Sequence, residues 1–178
     1  METLLTEKQV AKIANATSFE PLVKIAKKSI TRAQKLHPKK MILQVCGPIT
    51  SGGKGNRELN LIEFNKAVTF LAKIEKYLVF NQMPYEDKIG ELMAQICKAS
   101  KVKFAYCMDV LLDFYEPIFE RKYTTMLVFL PGWEASTGAC WEYKKGKKLG
   151  MLTYQLKDNW EELIVGGETD IYKLTIKI

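Results

Sequence analysis

Residues 126–142, Met-Leu-Val-Phe-Leu-Pro-Gly-Trp-Glu-Ala-Ser-Thr-Gly-Ala-Cys-Trp-Glu, constrain what this chain can fold into more than any other stretch. An unbroken apolar run, Met126 to Leu130, ends in Pro131-Gly132. A run that short and that uniformly apolar reads as a strand buried on both faces, and Pro-Gly marks a turn. A short polar loop follows, then a helix over 137–149 carrying Glu142. Strand, loop and helix in that order put the loop at the carboxyl end of a strand, where open α/β sheets present their ligand sites. Glu142 falls in the first turns of the helix, where the macrodipole favours an ionised carboxylate. Beside a cleft such a group can be a nucleophile; on a solvated helix face it is an ordinary surface glutamate.

The rest of the chain repeats the alternation. Met41–Cys46 is a short apolar run closed by Gly47-Pro48 and reads as a first strand. A glycine-rich loop leads to a helix from about 60 to 76, with Leu61, Phe64, Ala67, Val68, Leu71 and Ile74 at helical spacing. Tyr77–Phe80 is a second strand, and helices are expected over 86–99 and 103–116, the latter ended by Pro117. The third strand spans 124–130 and the fourth 151–154, and the alternating residues 171–176 suggest a last strand at an edge. Strands alternating with helices predict an α/β fold, a mostly parallel sheet flanked by helices in the Rossmann or flavodoxin-like manner.

With 178 residues the expectation is a single α/β domain over 41–178, preceded by a basic helical N-terminal extension over 1–40. That extension reads as two short helices, 3–14 capped by Thr6 and 20–36 with an apolar stripe. The net charge of +7 is concentrated there: residues 1–40 hold nine Lys/Arg against three Asp/Glu. Nucleic acid is therefore a partner to consider only through residues 1–40. No apolar run approaches a membrane span, and the polar first ten residues do not read as a secretory signal. The four cysteines lack CxxC spacing and are expected to be reduced, mostly buried thiols in a cytoplasmic protein. One histidine, His37, gives no basis for a metal site or a histidine triad, and no cofactor is indicated.

The loop after the first strand, with Lys54 and Arg57, can wrap a phosphate with backbone N–H groups or can be a plain surface loop. Its glycines are out of register for a Walker A loop and do not form GxGxxG. Asp109 and Asp113, four apart, share a helix face that is either its wet edge or directed into a site. Trp133 can stack on a base or sugar, or serve as a core tryptophan. Glu134 is a second candidate acid on a loop.

Gly47-Pro48-Ile49-Thr50, Asn60, Phe64-Asn65-Lys66-Ala67, Leu130-Pro131-Gly132-Trp133-Glu134, Ser136, Gly138-Ala139, Glu142 and Leu149-Gly150 together resemble the nucleoside 2-deoxyribosyltransferase superfamily. Within it the likeness is to small proteins with an LPGWE-S-GA-E signature, over residues 41–156. The resemblance implies that Glu142 attacks C1′ of a nucleoside sugar, forming a covalent glycosyl intermediate that a second base or water resolves. It implies that Asp109 holds the sugar or protonates the departing base, and that Gly47, Pro48, Ile49 and Thr50 lie against the substrate. Trp133, Ser136, Gly138, Lys54 and Arg57 complete the expected binding set. Ser136 stands where the transferases usually carry Asp, and Ser-x-Gly-x-x-x-Glu resembles the nucleoside 5′-monophosphate N-glycosidases, whose serine binds the phosphate. Thr125 stands where the family often carries an Asp at the end of the third strand. The resemblance also implies a homo-oligomer. A nucleotide-binding protein of weak or no activity is the alternative reading of the same pocket.

Overall fold

The structure, a computed structural model, describes residues 5–50, 52–100, 108–120 and 123–178. In chain order its elements are α1 (Glu7–Ala14), α2 (Phe19–Leu36), β1 (Met41–Cys46), α3 (Arg57–Leu71), β2 (Tyr77–Phe80) and α4 (Met83–Ser100). A π-helical segment (Val110–Tyr115) then runs into α5 (Glu116–Glu120), followed by β3 (Met126–Phe129) and a 3-10 turn (Trp133–Ala135). The chain finishes with α6 (Thr137–Lys148), β4 (Leu152–Leu156), α7 (Trp160–Val165), α8 (Ile171–Leu174) and β5 (Thr175–Lys177). It divides into two compact units, a helical one of Met1–Lys39 with Phe80–Tyr123 and a sheet unit of Lys40–Val79 with Thr124–Ile178.

In the sheet unit the strand order is β2-β1-β3-β4-β5. β1 pairs parallel with β3, β3 pairs parallel with β4, and β5 joins the edge antiparallel. The expected mostly parallel α/β sheet is present. Its order places the topological reversal between β1 and β3, because the chain leaves β1 towards β2 and returns on the other side. All four residues of β3 are buried, as the apolar run required. Burial of each such large side chain stabilises the fold by about 1.5–3 kcal/mol.

The register sorts the side chains by face. Gln44 aligns with Leu127 and Cys46 with Phe129, and these align in turn with Thr153 and Gln155. Neighbours in a parallel ladder share a face, so these six residues point the same way. α6 covers that face, and α3 packs on β1. Gly146 sets how closely α6 approaches, because a Cβ there would lie 2.6 Å from Leu127 Cδ1. Glu142, one turn earlier on the same stripe of α6, is thereby brought down onto the sheet.

The helical unit groups residues 1–39, read from the sequence as a basic helical extension over 1–40, with residues 80–123. Leu22, Ala26 and Ile30 on α2 have no exposed surface. The first 39 residues share a compact unit with residues 80–123, whose Phe114, Ile118 and Phe119 are equally buried. A stripe that apolar, on a helix of 18 residues, needs a packing surface of its own. Thr6 caps α1 as expected, in a capping box in which the Gln9 N–H donates to Thr6 Oγ1 at 3.3 Å and the Thr6 N–H donates to Gln9 Oε1 at 2.9 Å.

Two further expectations change. Residues 103–107 of the predicted helix lie outside the described residues, and Pro117 does not end the helix. The π-helical turns over Val110–Tyr115 come immediately before it, and α5 continues through it to Glu120. A proline ring collides with the carbonyl four residues back, and a widened π turn relieves that collision. The alternation over 171–176 also misled: Ile171–Leu174 is a helical turn, and only Thr175–Lys177 is strand. Asp170 Oδ1 accepts from the Tyr172 N–H at 3.0 Å, and this cap takes the backbone out of the extended state.

Candidate functional site

The loops after β1 and β3 meet at the reversal point. The Leu130 N–H donates to the Cys46 carbonyl at 2.8 Å, so both loops start side by side. Gly52, with φ +73°, comes so near the second loop that a Cβ would lie 2.7 Å from the Ala135 carbonyl oxygen. Only glycine fits both that backbone and that approach.

Asn60 on α3 ties the first loop down. Its Oδ1 accepts from the Lys54 N–H at 2.8 Å, and its Nδ2 donates to the carbonyls of Ile49 and Gly52, each at 3.2 Å. The side chain is buried, and those three bonds span the loop from Ile49 to Lys54. Lys54 itself points to solvent and pairs with Glu63 at 3.6 Å. Arg57 is the exposed first residue of α3 rather than part of the loop, because Asn56 caps that helix by accepting from the Glu58 N–H at 2.7 Å. Pro48 is buried, Gly47 and Ile49 are half-buried, and Thr50 is exposed.

Beneath the loops lies the most unusual polar contact of the unit. Gln44 Nε2 donates to Glu142 Oε1 at 2.9 Å, with Gln44 fully buried and Glu142 5% exposed. Cys46 borders the same carboxylate. Burial pushes the Cys46 thiol well above its ordinary pKa, and the Glu142 charge adds to the shift, so the sulfur is held protonated. Gln44 Oε1 is buried with no hydrogen-bond partner among the described residues. The amide orientation follows from the network, since the carboxylate requires the N–H side.

At the start of α6, Ser136 is the N-cap, its Oγ accepting from the Ala139 N–H at 3.3 Å. Ser136, Gly138 and Ala139 are buried there. Trp133 takes the core role. It packs on Phe129 and Tyr143 with ring centroids 4.8 and 4.9 Å apart, and its Nε1–H donates to Gln155 Oε1 at 3.1 Å. Both its apolar body and its polar edge are satisfied within the protein. Glu134 is exposed, and its carbonyl accepts from the Cys140 thiol.

The sheet unit therefore brings together the β1 loop, Ser136, Gly138 and Glu142. Asp109 belongs to the helical unit, where it and Asp113 are exposed. Of the expected thiols, Cys46 is buried and Cys97 and Cys140 are half-buried, all three outside disulfides; Cys107 lies outside the described residues. Among those residues no three His, Cys, Asp or Glu side chains are grouped to hold a metal ion, and no helix is long and apolar enough to cross a membrane.

Gln44 and Asn60 are functional candidates to which motif reasoning assigned no role. Gln44 left a signal, being the one polar residue in an otherwise apolar strand. Asn60 left none beyond its place in the composite motif.

No family model matches this chain, and neither a curated protein nor a solved structure matches it.

Proposed function

We propose that the sheet unit cleaves the N-glycosidic bond of a (deoxy)nucleoside or nucleoside 5′-monophosphate, with Glu142 as nucleophile. The observation that carries this reading is the buried Glu142 carboxylate, oriented by Gln44 beneath two loops that meet at the reversal point of the sheet. A carboxylate oxygen attacks C1′ as the C1′–N bond breaks, the bond's electron pair leaves with the base, and the base takes up a proton. Water or a second base then attacks C1′ from the opposite side, and the carboxylate is released with net retention. The Gln44 N–H on one oxygen sets the plane of the carboxylate, so that the nucleophile arrives without a search over rotamers. Ser136 and the Lys54 loop supply contacts for a 5′-phosphate, and the loop segment Gly47–Thr50 contacts base and sugar. A homo-oligomer belongs to the same proposal, and light scattering tests it.

A second reading is favoured by one observation. Glu142 is nearly closed off by Gln44 and Cys46, as a structural carboxylate in a nucleotide-binding protein would be.

Incubation with nucleosides and 5′-monophosphates, with and without an acceptor base, separates the cases by chromatography. Base released from monophosphates alone supports N-glycosidase action, and new nucleoside formed only with acceptor supports transfer. Glu142→Gln should abolish either while retaining ligand affinity. No turnover, with thermal stabilisation by a nucleotide, supports the binding protein and overturns catalysis.

A further inference from the structure

In the helical unit, α1 and α2 enclose an open groove of about 730 Å³. Six cations line it: Lys8 and Lys12 from α1, and Lys27, Lys28, Arg32 and Lys35 from α2. Among the described residues no Asp or Glu lines it. Helical spacing explains the convergence. Lys8 and Lys12 are four apart, as are Lys28 and Arg32, and each such like-charged pair on one face is mutually repulsive.

Several lysines elsewhere are paired. Lys24 meets Glu20 at 2.6 Å, Lys66 meets Glu161 at 3.0 Å, and Lys173 meets Glu168 at 3.2 Å. In the groove, Lys8, Lys12, Lys28 and Lys35 make no ion pair among the described residues. Helix dipoles account for Lys12 and Lys35, which stand in the last turns of their helices. They do not account for Lys8 or Lys28. Assembling these like charges is unfavourable in the absence of an anion.

We propose that this groove binds the phosphodiester backbone of a nucleic acid, without reading its sequence. Three features select that ligand. Five of the six cations are exposed and Lys27 half-buried, which suits a wet, extended polyanion rather than an enclosed small phosphate. Five are lysines, point charges without the planar fork that reads a base edge. Tyr123, the lining aromatic, has Lys27 Nζ over its ring at 5.9 Å, so the groove offers no row of rings for stacked bases. Lys27 to Lys35 spans roughly 12 Å along α2, and duplex phosphates recur about every 3.4 Å per strand along the axis, so three or four are in reach.

The test is fluorescence anisotropy of the full chain with two short labelled duplexes of unrelated sequence. If four phosphates are engaged, raising salt from about 50 to 200 mM should weaken binding roughly 150-fold, equally for both duplexes. The variant Lys28→Glu/Arg32→Glu/Lys35→Glu should bind at least about tenfold more weakly and lower the salt slope by roughly two to three. Lys144→Glu/Lys147→Glu/Lys148→Glu, which changes net charge by the same amount in the sheet unit, should bind as the parent does. All these positions but Arg32 are exposed lysines, and circular dichroism with a melting curve checks that each variant folds. The proposal is overturned by absence of binding, by equal losses in the two variants, or by a strong preference between the duplexes. Inorganic tripolyphosphate displacing the duplex at equimolar concentration would also overturn it, by assigning the groove to a small polyphosphate.

Discussion

Gln44 and Glu142, 98 residues apart in sequence, are joined by a buried hydrogen bond of 2.9 Å from the amide Nε2 to the carboxylate Oε1. Removing either partner takes one hydrogen bond from a buried polar group. Gln44→Leu should lower stability by about 1–3 kcal/mol, since a buried carboxylate loses a hydrogen-bond donor. Glu142→Leu should also destabilise, and the double variant should lose less than the sum. Urea denaturation of the four proteins gives the coupling; strict additivity would show that the bond contributes nothing of its own.

Gly146 should reject a methyl group. A glycine inside a helix normally gains up to about 1 kcal/mol on replacement by alanine. Here the new Cβ would sit 2.6 Å from Leu127 Cδ1, so α6 or Leu127 must move. Overpacking of that kind costs about 1–3 kcal/mol, and Gly146→Ala should be net destabilising. A higher denaturation midpoint in the variant would mean that Leu127 repacks freely.

Asn60→Ala should loosen the β1 loop more than the fold. The Lys54 amide loses its acceptor, the Ile49 carbonyl loses the Asn60 donor, and the Gly52 carbonyl keeps only the Gly55 N–H. Hydrogen exchange at Lys54 should accelerate well beyond the change in the β1 amides. If the loop carries substrate, ligand affinity should fall with it. Equal acceleration throughout the sheet unit would reveal a global rather than a local effect.

The Cys46 thiol has a raised pKa in the folded protein, chiefly through burial and secondarily through Glu142. The folded state therefore holds its proton more tightly than the unfolded chain, where the thiol titrates near about 8.5. This contribution to stability is complete below that pH and is lost as pH rises above it towards the folded pKa. The denaturation midpoint should fall above pH ~9 more steeply in the parent than in Cys46→Ala. Iodoacetamide should label Cys46 only after unfolding, as mass spectrometry of quenched samples would report. Rapid native-state labelling would show the site open to solvent.

Local chemistry made much of this architecture readable in advance. β1 and β2 fall on their apolar runs, because a strand buried on both faces leaves a nearly continuous apolar signature, broken in β1 only by Gln44. The Thr6 cap and the helix behind Ser136 were equally legible. Where two local signals competed, the reading failed: Pro117 was outvoted by a π turn and the 171–176 alternation by the Asp170 cap.

The sequence by itself determined the alternation of strands and helices, the position of the β3 loop, and Glu142 as the carboxylate following it. Tertiary structure alone decided that Trp133 turns into the core, that residues 1–39 share a unit with 80–123, and that Gln44 faces Glu142. The reason is range. Caps, turns and periodicities act over a few residues and are written locally, whereas the partner of a buried polar group is chosen by strand order and register. Those are set by the packing of the whole sheet, with α6 seated on it at Gly146.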